Sequence, residues 1–368
     1  MKLFVRILIA VLIAVGFYFA VDYFAVKNWN NNESLIVKVM SVGSESEVND
    51  NDGYAMLERD TTLEILSGVH NKELITVKTV RFGGSGLDVV SGRRYLLVWD
   101  MFDDGRTQYS IADAFRVSDV AGFVMAVCVI LIALTGTRGF LALLGLGASI
   151  GVLIFAMVPL ITQGWSPVWL AMACVLIIST VTILCVVRHI RYMLVALLGS
   201  LGGVLCGFLS GALMVYVWQL SGLAGEGAAL LASTMPELNM KGLVLASVLI
   251  GSIGAVLDVG VSVTASMSEF VDYDENIPLD RLLLAGLNVG SEVLGSMINT
   301  LILAYMGSAL PMAVLICSAG VELSGVLNDP YIAQEIVQGV AGTLGLLFTI
   351  PATAFCFVFQ EGLRRRND

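Results

Sequence analysis

The stretch "GAVLDVGVSVTASMSEF", residues 254–270, reads as membrane-spanning sequence with an aspartate, Asp258, set inside it. An acid in hydrocarbon acquires meaning from its depth and its neighbours, so the rest of the chain has to be placed around it. Of 368 residues, 57% are apolar and 14% charged, which leaves too little polar surface to cover a soluble fold of this length. Apolar segments of near-spanning length are Ile7–Val26, Val120–Thr135, Phe140–Ile161, Pro167–Val187, Tyr192–Leu220, Gly242–Thr264, Gly286–Ala309 and Val337–Phe359, eight in all. An α-helical polytopic membrane bundle of about eight helices is expected.

Basic residues flanking a span are held on the cytoplasmic side. Lys2 and Arg6, Arg138, Arg188 and Arg191, Arg281, and Arg364–Arg366 all fall on one side of an eight-span arrangement, and only Lys241 breaks the pattern. Both termini are therefore expected in the cytoplasm. The net charge of −10 arises partly in the loop "SEFVDYDENIPLD" and partly in the N-terminal polar region, and it argues against nucleic-acid binding. The first span reads as an uncleaved signal anchor rather than a signal peptide, because no small-x-small cleavage site precedes Lys27. Cys128, Cys174, Cys185, Cys206, Cys317 and Cys356 all lie in or beside spans, so the exported region has no disulfide to use.

The expected organisation is a signal-anchor helix over 1–26, an extracytoplasmic β domain over 27–118, a transmembrane domain over 119–360 and a basic cytoplasmic tail over 361–368. In the β domain, "LIVKVMSV", "TTLEILSG", "ELITVKTVRF", "RRYLLVWDMF" and "QYSIADAF" read as strands separated by "NDNDG", "GVHNK", "GGSG" and "DDG". Five short strands suggest a small barrel of oligonucleotide-fold (OB) or SH3-like type. That fold names no ligand.

Gly199, Gly203, Gly207 and Gly211 recur every four residues and give the fifth span a smooth ridge for helix packing, either within the bundle or as a dimer face. Weaker versions are Gly147 with Gly151, and Gly339, Gly342 and Gly345. Pro159 and Pro351 should kink their spans. The piece from Pro311 to Leu323 is too short to cross, and is either the continuation of the preceding helix or a re-entrant half-helix.

Several motifs imitate chemistry. "GASIG" around Ser149 matches a nucleophile elbow and "GLGASIG" a dinucleotide loop, but both lie in a transmembrane helix without the strand that such motifs require. His70 is exported and His189 cytoplasmic, so neither reaches Ser149. No enzyme activity, cofactor or metal site is expected.

Counted inward from Lys241, Asp258 lies about 25 Å below the outer surface, in the cytoplasmic half of a core about 30 Å thick. Ser262, Ser266 and Glu269 follow it near helical spacing, and Ser247, Gly251 and Gly254 precede it on a related face. The next span carries Asn288, Glu292, Gly295, Ser296 and Asn299 on one side, at overlapping depth. The two faces are expected to meet in a polar site of Asp258, Ser262, Asn288, Glu292 and Asn299, its carboxylates sharing a proton, binding a cation or pairing with Arg281 or Arg188. Against this stands a static hydrogen-bond cluster gluing helices together, or a Glu292 placed higher in an interfacial helix.

"GAVLDVGVSVTASMSEF" followed by "GLNVGSEVLGSMINTLILAYMGSALP" resembles the paired signature of the YibE/F family of bacterial membrane proteins, and "LEILSGVHNKELITVKT" resembles the outer domain of its YibE-type members. The resemblance implies a multispanning protein of the bacterial plasma membrane. Members of the outer-domain type are often encoded beside a shorter homologue without that domain, so a homodimer or a heterodimer with a YibF-type homologue is expected; no activity follows from the resemblance. Where many members have Arg-Asp this chain has Ser291-Glu292, which removes the intrahelical basic partner. Together the residues point to a permease-like protein moving a small solute or ion, with or without proton coupling. The alternative is an envelope assembly or sensing protein whose outer domain binds a partner.

Overall fold

The computed structural model describes residues 2–29, 34–49, 55–67, 72–82, 87–101, 107–187, 190–224 and 226–367, and divides into two compact units, residues 1–139 and 140–368. In the first unit, helix α1 (Lys2–Lys27) leads into strands β1 (Leu35–Val42), β2 (Ser46–Asn49), β3 (Ala55–Ile65), β4 (Leu74–Phe82), β5 (Arg94–Met101) and β6 (Thr107–Ala114), and helix α2 (Val117–Thr135) follows. Every pairing is antiparallel. The long strand β3 carries β4 along one edge, and on its other edge pairs first with β2 and then with β1, which passes the sheet on to β5 and β6. Period-two alternation sends Val37 and Val39, Leu63 and Ile65, and Tyr95 and Leu97 into one core. Tyr95 fixes the loop before its own strand, its hydroxyl accepting from Val90 N at 2.9 Å and donating to Asp88 O at 3.1 Å.

The five strands read from sequence are present, but β2 and the first half of β3 are additional. Their stretch is acidic and turn-like, and its strand character comes from the β2–β3 register (Glu47↔Leu57, Val48↔Met56) rather than from propensity. The sheet is curled. The four turns read between strands fall wholly or partly outside the described residues. Beside the sheet α1 packs on α2: the Tyr18 ring lies against Gly122, where a Cβ would stand 2.8 Å from the ring, so the glycine sets the approach. Asp22 of α1 pairs with Arg94 of β5.

The second unit begins with α3 (Thr137–Val152, which starts in the first unit), a π-helical turn at Leu153–Met157, and α4 (Val158–Thr162). Pro159 follows the π turn, and the wider turn absorbs the ring where a regular helix would clash with the preceding carbonyl. Then come α5 (Pro167–Val186), a 3₁₀ turn at Ile190–Tyr192, α6 (Met193–Val217), α7 (Glu226–Thr234), α8 (Met240–Tyr273), α9 (Leu279–Ser318), α10 (Leu323–Leu327) and α11 (Pro330–Asn367). Among the described residues seven helices are long and apolar enough to cross a membrane: α2, the α3–α4 run, α5, the run through α6, α8, α9 and α11. The remaining apolar segment of the sequence, Ile7–Val26, lies in α1. The stretch after Pro311 is no separate half-helix, because α9 runs through the proline to Ser318. Residues 361–367 continue α11.

The glycine ridge of α6 is where the second unit is tightest. A Cβ on Gly203 would stand 2.7 Å from Gly345 O and 2.9 Å from Thr349 Cβ; on Gly199, 2.7 Å from Thr353 Cα; on Gly207, 3.0 Å from Ala341 O. On Gly211 it would meet Val248 at 2.9 Å. The groove is filled by α11 and α8 of the same chain, so the ridge packs within the bundle. One end of the bundle is tied by charge. Glu361, 1% exposed, accepts from Arg364 at 3.4 Å, Arg365 at 3.3 Å and the Tyr192 hydroxyl at 3.5 Å, while Arg365 also donates to Ile277 O at 2.7 Å. This joins α11 to the 3₁₀ turn and to the α8–α9 loop.

Candidate functional site

Helix α8 has two faces of opposite character. Val256, Val259, Gly260, Val263, Thr264 and Met267 are buried, with the Ser200 hydroxyl of α6 seated where a Cβ on Gly260 would be. On the other side Gly251, Gly254, Asp258, Ala265 and Glu269 are exposed and Ser262 is half-buried. Gly251 and Asp258 are seven residues apart, so they point within about 20° of each other. Asp258 stands near the middle of the helix, about 27 Å from its first residue at ~1.5 Å per residue.

Above Asp258 the lane has a built upper end. The Tyr305 hydroxyl of α9 sits on Gly251, where any Cβ would overlap it, and Gln338 Oε1 of α11 is 3.7 Å from the same point. One turn farther along α9, Ser308 donates to Glu335 Oε2 at 2.9 Å. Between this cluster and Asp258 lies Gly254, whose Cβ position has no atom within 4 Å. An open strip of helix surface thus runs from Tyr305 and Gln338 down to a carboxylate. Near the first residue of α8, a cavity of about 570 Å³ opens between the α4–α5 and α7–α8 turns, lined among others by Gln163, Trp165, Glu237 and Asn239.

On α9 the buried positions are Leu282, Gly286, Gly290, Leu301 and Ala309. Gly286 lets Met267 of α8 approach, its sulfur 2.6 Å from the Cβ position, and Gly290 does the same for Ile350 of α11. Asn288, Glu292 and Asn299 are exposed on another side of the helix, as are Ser291, Gly295, Ser296 and Thr300. Among the described residues no side-chain hydrogen bond or ion pair joins Asp258, Ser262, Asn288, Glu292 and Asn299 to one another or to Arg281, which is exposed. Arg188 lies outside the described residues, as do His70, His189 and Gly225. Among the described residues no three of His, Cys, Asp and Glu come together to hold a metal ion. Ser149 is a residue of α3 whose hydroxyl donates to Gly145 O at 2.8 Å.

Residues 123–361 match the family model described as YibE/F-like protein. The chain belongs to the YibE/F-like family. The match takes in α8, α9 and α11 as far as Glu361, hence the whole lane, and leaves out the sheet. Family and apolar helices together make it an integral membrane protein. No curated protein and no solved structure matches the chain.

Tyr305, Ser308, Glu335 and Gln338 are not among the site residues read from sequence. The signal was present in "YIAQEIVQG", where an acid and an amide stand three apart at the start of the last helix. Glu361 was signalled too, by arginines three and four residues on, a spacing that brings their side chains together.

Proposed function

We propose that the chain is a permease-like protein in which the α8 lane carries a small solute or ion, with Asp258 as the group that exchanges a proton with it. One observation carries this reading: a mid-helix carboxylate with no side-chain partner among the described residues faces an open strip of helix surface floored by glycine. An acid at the centre of a spanning helix costs roughly 2.5–3.5 kcal/mol on insertion scales, so its retention without a structural bond points to use. Ser262 continues the lane below Asp258. Tyr305 and Gln338 stand at its outer end, where seated groups narrow the strip.

The arrangement that goes with this reading has eight spans including α1, both termini in the cytoplasm of a bacterial cell, and the sheet outside the plasma membrane as a barrel of OB or SH3-like type. A second reading, a partner-binding role in envelope assembly or sensing, is favoured by apolar side chains left outward on the sheet domain: Leu74 at 65% and Met40 at 48% exposure.

Flux in reconstituted vesicles, against a panel of ions and metabolites and across pH, tests the proposal. Asp258→Asn keeps shape and most hydrogen-bonding capacity while removing titration, so the variant should insert and fold but lose pH-dependent flux. Full activity of Asp258→Asn at every pH, beside a destabilised Asp258→Leu, would leave the aspartate a structural group.

A further inference from the structure

We infer that the outward face of α9 is the surface on which two copies of this chain associate within the membrane. Seven successive members of that face, Asn288, Ser291, Glu292, Gly295, Ser296, Asn299 and Thr300, are exposed. Their side chains gain little from the chain itself: Ser291, Ser296 and Thr300 bond only to carbonyls of their own helix, and Asn288, Glu292 and Asn299 to nothing among the described residues. The face runs about 18 Å along the axis at ~1.5 Å per residue. It begins nine residues into a 40-residue helix, so it lies within the spanning length. Lipid tails supply no donors or acceptors, so a row of amides and a carboxyl at that depth has to be met by protein.

The composition of the row identifies the occupant. Two copies inserted the same way and related by a two-fold axis along the membrane normal set each residue near its own counterpart. A face can satisfy itself in that manner only if its groups both donate and accept. Asparagine amides and serine and threonine hydroxyls do so, Glu292 accepts from such donors, and no lysine or arginine interrupts the row. Steric fit agrees. The Cβ position of Gly295 has no atom within 4 Å, and serines flank it, so two backbones can approach as small residues allow in membrane helix pairs. The glycine ridge on α6 is already filled by α11. Association through α9 needs the chain to span the membrane and does not need the lane to conduct.

Two full-length copies with different tags, co-expressed and extracted in mild detergent, provide the test. Each should retain the other. Gly295→Leu in both copies should lower recovery of the second tag at least tenfold while the single copy keeps its thermal stability. Should Gly295→Leu fail to fold, Gly295→Cys, built with Cys317→Ala to remove an exposed native thiol, should form a disulfide-linked dimer on oxidation in native membranes. Absence of co-purification, or of that cross-link, overturns the proposal, as does undiminished recovery with Gly295→Leu. Cross-linking of the new thiol to a different membrane protein, with none between copies, would assign the face to another partner and overturn it equally. Flux measurements are separate, so loss of the dimer and loss of transport are read independently.

Discussion

A single methyl group added at three glycines of α6 and one of α3, at graded distances from its new neighbours, tests the packing of the second unit. Replacing glycine by alanine inside a helix gains up to about 1 kcal/mol of helix propensity when nothing opposes it. Overfilling a close-packed contact costs about 1–3 kcal/mol. At Gly147 of α3 the Cβ position is open, so the gain stands alone and Gly147→Ala should stabilise by up to about 1 kcal/mol. At Gly202 the nearest atom is Ala352 Cβ at 3.4 Å, an ordinary contact, and the change should be neutral or slightly favourable. At Gly207 the Cβ would be 3.0 Å from Ala341 O, and gain and cost should roughly cancel. At Gly203 it would meet Thr349 and stand 2.7 Å from Gly345 O. The carbonyl belongs to the backbone of α11 and cannot swing aside, so α6 and α11 must separate. The cost should reach the top of the range and leave Gly203→Ala about 2 kcal/mol less stable. Thermal unfolding in one detergent, with the four variants side by side, should rank them Gly147, Gly202, Gly207, Gly203 from most to least stable. A Gly203→Ala protein as stable as wild type would refute the claim that α11 occupies the ridge.

Three further changes probe separate parts of the chain. Glu361→Ala leaves Arg365 without its buried counter-charge and should cost on the order of 2–3 kcal/mol, below the ~3–5 expected of a fully buried pair because both arginines reach solvent; a melting temperature equal to wild type would contradict this. Tyr95→Phe removes the acceptor of Val90 N and should cost about 1–2 kcal/mol, read as faster proteolysis within the sheet domain; an unchanged digestion rate would count against the hydroxyl as an anchor of that loop. If basic flanks set orientation, a cysteine at Gly225 should react with an impermeant thiol reagent from outside and one at Asn276 only after permeabilisation, and the reverse pattern would invert the topology.

Composition and short-range pattern were enough to assign the character of most segments. Long apolar runs dictate membrane helices because unpaired backbone groups cannot be left in hydrocarbon, and seven such helices are present among the described residues. Alternation of polar and apolar residues located five of the six strands, since a strand with one buried face must repeat every second residue. The two long motifs around Asp258 and Glu292 were enough to indicate the family. Whatever depends on which faces meet had to wait for the packed molecule. A helical repeat tells that Gly199–Gly211 is smooth, but only the position of α11 tells that the smoothness is used within the chain. The stripes of α8 and α9 were both legible, yet their orientation was not, and Asp258 and Glu292 came out without a bond between them. The Glu361 cluster shows the same limit, because the Tyr192 hydroxyl it accepts from and the Ile277 carbonyl that Arg365 bonds come from segments distant in the chain. A sequence encodes the character of each surface locally, while the choice of neighbour is a sum over the whole packed bundle, and no window along the chain contains that sum.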